Sequence, residues 1–333
     1  MDLHRYVTVE LQSLLKSSHR VTPELVYQEF EPYFGLNVDP ESIFRELEHL
    51  ESRGFISMEN DNLSLTDEGR RIAHETMISF SFHEGYEISV RSETDRTFLH
   101  REHGELGIVG LTDELQRDFL VEALGRCQQP ILDLGCGDGS LTNILSTRSG
   151  RALAGIDISQ DALDLASSRF PEIAFFRHSM DELPDYGREV GSFLAVDSLY
   201  FVQSLEKTIL DMAEIVKRKK SRSTEGFGMV MVFSTYGMEG MNTELLKPWN
   251  NPLGKILRTI FPEKALEYTD FTCSELDVWS GKLDLLNQLK DEYYRENTAY
   301  LFWDRYNEVS LLAKVCQNKL NSRYGYCVRL AEC

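Results

Sequence analysis

The sequence predicts a doubly wound α/β fold, and three features of one stretch predict it. Ile131, Leu132 and Leu134 form a short apolar run, the mark of a strand buried on both faces. The run stops at Gly135-Cys136-Gly137-Asp138-Gly139, where small residues let the backbone turn tightly and approach a ligand. Leu141, Ile144 and Leu145 then recur at helical spacing, and a second apolar strand over 152–156 delivers Asp157 at its carboxyl end. Strand, glycine turn, helix and strand is the repeating unit of a parallel sheet covered on both faces.

In such sheets an acid at the position of Asp157 grips a nucleoside ribose, because a carboxylate accepts from both hydroxyls. Two cofactor classes use the layout. Nicotinamide dinucleotides want G-x-G-x-x-G with the pyrophosphate on the helix N-terminus. Here the third glycine comes one residue early and Ser140 holds its place. Asp133, two residues before the first glycine, would repel a pyrophosphate but attract an ammonium directly or through water. S-adenosylmethionine carries an ammonium and a sulfonium and no phosphate. Leu132-Asp-Leu-Gly-Cys-Gly-Asp-Gly139 with Asp157 resembles the class I S-adenosylmethionine-dependent methyltransferases. The resemblance implies a Rossmann-like seven-stranded sheet and S-adenosyl-L-methionine as cofactor, held by Asp133, Gly135, Cys136, Gly137, Asp157 and Ile158.

Composition bounds the rest. The 333 residues include 35 basic and 54 acidic side chains, a net charge of −19, which repels nucleic acid and anionic membrane. The cysteines at 127, 136, 273, 316, 327 and 333 show no paired spacing and read as free thiols, with no metal site indicated. The start lacks a basic-then-apolar signal and no apolar run approaches a membrane span, so a cytoplasmic protein is expected.

Residues 1–78 read as a unit of their own. Val7, Leu11, Leu14 and Leu15 mark one helix; Pro23 opens a second; Asp39-Pro40 opens a third with the stripe Ile43, Phe44, Leu47, Leu50. Gly54 ends it, and apolar stretches flank Asn60-Asp61-Asn62 as a hairpin, after which Thr66 caps another helix. The order resembles a winged helix-turn-helix. Duplex binding is opposed by charge: the segment holds 15 acidic and 7 basic groups, with Glu41, Glu46, Glu48 and Glu51 on the would-be recognition helix. A packing or homodimerisation module is the better reading, and similar domains precede the catalytic core of many small-molecule O-methyltransferases.

Residues 79–126 read as a helical linker or lid, which would carry His100 and His103 to the site as catalytic candidates. Residues 127–333 read as the catalytic domain. After Asp157, Ser159 caps a helix to Phe170, and a strand over 173–176 ends at His178-Ser179-Met180-Asp181. Many methyltransferases place an acid where Ser179 stands, so Ser179 and Met180 are the adenine candidates and Asp181 the alternate. The strand Phe193–Val196 runs into Asp197, Ser198 and Tyr200, which should face the crevice at the strand ends. Asp197 to Val202, with Tyr324-Gly325-Tyr326 in the last strand, resembles a bacterial subgroup of small-molecule methyltransferases. Tyr200 would orient a nucleophile or set its π-face beside the sulfonium.

The strand over 229–233 leads to Ser234, a substrate candidate with Tyr200. An insertion at about 240–320 reads as helices, over 245–260 broken by Pro252, 274–293 and 298–320. It would form an apolar cap, with Trp303 and Arg305 toward substrate. Arg305 and Glu308 also suit a helix-face ion pair.

The chain thus reads as a transferase that methylates a small molecule by in-line displacement at the sulfonium methyl. The alternatives are an enzyme that cyclises S-adenosylmethionine or transfers its amino-acid part, and a cofactor-sensing DNA-binding regulator.

Overall fold

The computed structural model describes residues 3–17, 20–73, 92–95, 98, 114–183, 190–218, 226–237 and 242–329. They fall into two compact units, one of residues 1–98 with 283–308, the other of 99–282 with 309–333. His100 and His103 lie outside the described residues.

The first unit begins with α1 (Leu3–Ser17), α2 (Pro23–Phe34) and α3 (Pro40–Ser52). Thr22 Oγ1 accepts from the Leu25 N–H at 3.2 Å and Asp39 Oδ1 from the Ser42 N–H at 2.9 Å, so both later helices start at a capping side chain followed by proline. An antiparallel hairpin follows, β1 (Ile56–Glu59) and β2 (Asn62–Leu65), turning on Asn60 and Asp61 at φ 52° and 57°. Both residue types tolerate that region, which a two-residue hairpin turn requires. Residues 67–73 are helical after Thr66, whose Oγ1 accepts from the Gly69 N–H. The stripe of α3 is consumed inside the chain: Ile43, Leu47 and Leu50 are buried and Phe44 is half-buried.

The second unit is a seven-stranded sheet in the order β5-β4-β3-β6-β7-β9-β8. Its strands are β3 (Ile131–Leu134), β4 (Leu153–Asp157), β5 (Phe175–Arg177), β6 (Ser192–Val196), β7 (Met229–Tyr236), β8 (Leu266–Asp270) and β9 (Asn321–Val328). The first five are parallel, and β9 runs antiparallel between β7 and β8. One face buries Leu132, Leu134, Phe193, Met231 and Tyr326 with α7 (Leu205–Arg218) and α8 (Pro252–Ile260). The other buries Ile131, Leu194, Val196, Val230 and Val232 with α4 (Glu114–Gly125) and α5 (Ser140–Ser149). Alternate residues thus serve opposite layers, as continuous apolar strands require. A further helix, α6 (Gln160–Arg169), follows β4.

The insertion differs from its expected all-helical form. Residues 266–270 are the edge strand β8, whose Leu-Glu-Tyr-Thr-Asp sequence is too short to show a period against its helical surroundings. The expected helix from 245 is a 3₁₀ turn, Thr243–Leu246, and α8 starts only where Asn251 caps Pro252. Two long helices close the stretch, α9 (Glu275–Arg295) and α10 (Ala299–Gln317). Residues 283–308 of that pair belong to the first unit.

Candidate active site

The strand order reverses beside β3, because β4 lies on one side and β6 on the other. Ligands of open α/β sheets bind outside the carboxyl ends at such a switch point. Here those ends supply the glycine turn after β3, Asp157 of β4, and Asp197 with Ser198 after β6. Ser234 to Tyr236 close β7, and antiparallel β9 brings Arg323 opposite Ser234 and Asn321 opposite Tyr236.

The turn needs its glycines. Gly135 and Gly139 both sit at φ +74°, and a Cβ on Gly135 would lie 2.7 Å from Ser198 Cβ. Gly135→Ala is therefore expected to lower the unfolding free energy by about 1–2 kcal/mol, read by urea denaturation. Asp157 reinforces the turn: its Oδ2 accepts from the Gly137 N–H and its Oδ1 from the Ser159 N–H, each at 2.9 Å. Burial raises its carboxyl, and those N–H bonds pull it back. The Ile158 N–H is a third donor to this carboxylate, which still has lone-pair capacity for a hydroxyl.

Asp133 lies beneath the turn, 2% exposed, and accepts from Thr142 Oγ1 at 2.7 Å. Burial raises it to about 7, against the Thr142 bond and with help from Asp157. From the unfolded value near 3.9 up to about 7 the folded chain holds the extra proton, so this group's contribution to stability falls as pH rises through that window. Asp133→Asn should flatten that limb by on the order of 2 kcal/mol between pH 4 and pH 8, measured by denaturation across pH.

The remaining cofactor candidates sort by what already engages them. Cys136 is buried, and Ile158, beside Asp157, keeps 38% of its surface exposed. Ser179 Oγ accepts from the Asp181 N–H, capping the 3₁₀ turn Met180–Glu182. Asp181 Oδ1 accepts from the Gln203 N–H at 2.7 Å. Ser198 is 4% exposed and its Oγ finds no partner among the described residues, although it flanks Gly135. An orphaned hydroxyl beside the glycine turn, with Asp157 on the same turn and an exposed Ile158, fits a nucleoside cofactor bearing polar groups.

A buried ionic network adjoins the turn, and sequence reasoning missed its centre. Arg323, 1% exposed, forks onto Asp197 with Nη1–Oδ1 at 3.0 Å and Nη2–Oδ2 at 2.6 Å. Its Nε donates to Gln116 Oε1 at 3.1 Å and its Nη1 to Ser234 Oγ at 2.7 Å. Burial alone would lower this guanidinium, but Asp197 holds it protonated above its ordinary value. Glu275 lies 4.0 Å from Arg323 Nη1 and accepts from Tyr236 Oη, Ser234 Oγ and Asn321 Nδ2. Burial raises Glu275, with Arg323 opposing. The fork also secures Asp197, whose φ of 49° is unusual for a residue other than glycine.

Tyr200 donates to Asp197 Oδ1 at 3.1 Å and accepts from the Ser234 N–H. Its phenol is pushed well above its ordinary value, first by burial and then by Asp197, so it keeps its proton. The ring lies 4.5 Å from that of Phe233, centroid to centroid, and the residue is 39% exposed; the hydroxyl is enclosed while ring surface is open. Ser234 is buried inside the network.

Trp303 and Arg305 belong to the first unit, where Trp303 Nε1 donates to Tyr294 Oη and Arg305 Nη2 lies 3.1 Å from Asp95. Arg305 lies 3.8 Å from Glu308, but the buried Asp95, remote in sequence, is its nearer partner.

Residues 131–219 match the family described as "Methyltransferase domain". A 62-residue segment, 18% of this chain and 24% of the relative, is 39% identical to trans-aconitate 2-methyltransferase of Rhizobium meliloti (strain 1021). That match spans about a quarter of the enzyme's length. A candidate sarcosine dimethylglycine methyltransferase from Galdieria sulphuraria superposes with a TM-score of 0.55 at 15% identity, over 72% of this chain and 98% of that one. Phosphoethanolamine N-methyltransferase 2 of Haemonchus contortus, solved with S-adenosyl-L-methionine, gives 0.53 at 12% identity over 75% and 59%. The [4+2]-cyclase SpnF gives 0.50 at 14% identity over 75% and 96%. Residues 131–219 thus carry a methyltransferase domain, in a unit that shares the fold of these solved structures.

Proposed function

We propose that the chain is an S-adenosylmethionine-dependent enzyme that methylates a small molecule. The observation that carries this is the glycine turn 135–139 with Asp157 and the orphaned Ser198 hydroxyl at the switch point of a methyltransferase domain. Asp157 would take the ribose hydroxyls, with Gly135, Cys136 and Gly137 at the backbone beneath them. Ile158, Ser179 and Met180 would border the adenine, and Asp133 and Asp197 would bias the site toward the ammonium. The cofactor supplies a methyl carbon already activated by the sulfonium.

What remains for the protein is alignment, exclusion of water and acceptance of a proton where the nucleophile carries one. The exposed ring of Tyr200 is suited to alignment, held by Asp197 and Ser234. His100 and His103 stay candidates for the proton acceptor on the 79–126 segment. Among the described residues no helix is long and apolar enough to cross a membrane. A cytoplasmic enzyme that ignores nucleic acid and pairs through residues 1–78 completes the reading, supported by the net charge of −19 and the acids of α3.

The second reading keeps the cofactor and changes the reaction, to cyclisation or transfer of its amino-acid part. Mass spectrometry of products formed with S-adenosylmethionine and candidate acceptors decides between them. A product heavier than the acceptor by one methylene unit, with S-adenosylhomocysteine released, supports methylation; methylthioadenosine release overturns it.

A further inference from the structure

The spacing of histidines in the sequence points to no metal, yet the fold gathers two of them around one carboxylate. His4 on α1 places Nδ1 2.7 Å from Glu46 Oε1 of α3, and His49 Nδ1 lies 3.4 Å from the same oxygen. One ligand atom from each of the three side chains lies within 4.8 Å of the others. Glu46 and His49 stand at i, i+3 on α3 and so share a face, while His4 comes from 42 residues away in the chain.

We propose that His4, Glu46 and His49 form a site for a first-row divalent cation, zinc above all, that ties α1 to α3. Two imidazole nitrogens and one carboxylate oxygen suit zinc, cobalt or nickel, and not magnesium or calcium, which take oxygen throughout. With metal–ligand bonds of about 2.0–2.2 Å, tetrahedral geometry sets donor atoms roughly 3.4 Å apart. The His49–Glu46 separation already has that value. The His4–Glu46 pair must open by about 0.7 Å, a small side-chain rotation for a residue 25% exposed. Exposures of 25%, 17% and 56% for His4, Glu46 and His49 leave the fourth position to water. The site is independent of the methyltransferase reading, since it uses none of the residues at the sheet's carboxyl edge.

The test uses untagged full-length protein stripped with a chelator. Cobalt(II) titration should give visible d–d absorption that saturates at one equivalent and is bleached by zinc, and excess zinc should raise Tm by about 4 °C or more. His49→Ala, at the most exposed ligand, should keep the fold and weaken zinc at least about tenfold in chelator competition. Glu46→Gln should do the same. No cobalt spectrum at one equivalent, or unchanged zinc affinity in folded His49→Ala, overturns the site and leaves a His4–Glu46 hydrogen bond only.

Discussion

Arg323→Leu is expected to lower the unfolding free energy by about 3–5 kcal/mol, the largest effect of any single change at the site. The leucine leaves Asp197 without its bidentate partner and removes the positive charge 4.0 Å from Glu275, which is buried. A buried and a half-buried carboxylate are then left without a counter-charge, and Asp197 sits at a φ that the fork secures. The urea midpoint should fall with little change in slope. Adding Asp197→Asn and Glu275→Gln to Arg323→Leu should recover part of the loss, because neutral amides leave no uncompensated charge. A single-variant loss below about 1 kcal/mol would mean that the network contributes nothing net to the fold.

This network was the least legible part of the site. Arg323 stands at the head of an apolar strand and Glu275 in the first turn of a helix, where an acid reads as a partner of the helix dipole. Their meeting with Asp197 follows from the antiparallel register of β9 on β7, which pairs Arg323 with Ser234. Periodicity describes one segment at a time and carries no such register. The cofactor half is the reverse case. Glycine turn, Asp133 and Asp157 belong to one continuous strand-turn-helix-strand unit, whose geometry is local. β8 and the partner of Arg305 failed for the same reason as Arg323. Five edge residues show no period, and Asp95 lies 210 positions from the arginine it pairs with. The α3 stripe was visible, and Ile43, Leu47 and Leu50 are taken up by the chain itself.

Asp157→Ala is expected to weaken S-adenosylmethionine by roughly 10- to 150-fold, the loss of one charge-assisted interaction of about 1.5–3 kcal/mol. The carboxylate ties the turn through the Gly137 and Ser159 N–H groups, so part of the loss comes from a looser turn. Asp157→Asn separates the contributions. Its amide oxygen can accept from only one of the two N–H groups and carries no charge, so it should bind no better than about tenfold above alanine. Circular dichroism must show both variants folded.

The most direct measurement is calorimetric titration of wild-type and Asp157→Ala protein with S-adenosylhomocysteine and, separately, with NAD. The glycine turn, the buried Asp133 and the orphaned Ser198 predict one equivalent of S-adenosylhomocysteine bound by the wild type, clear loss in the variant, and no heat from NAD. Binding of NAD with no response to the sulfur nucleoside would contradict the assignment of this site.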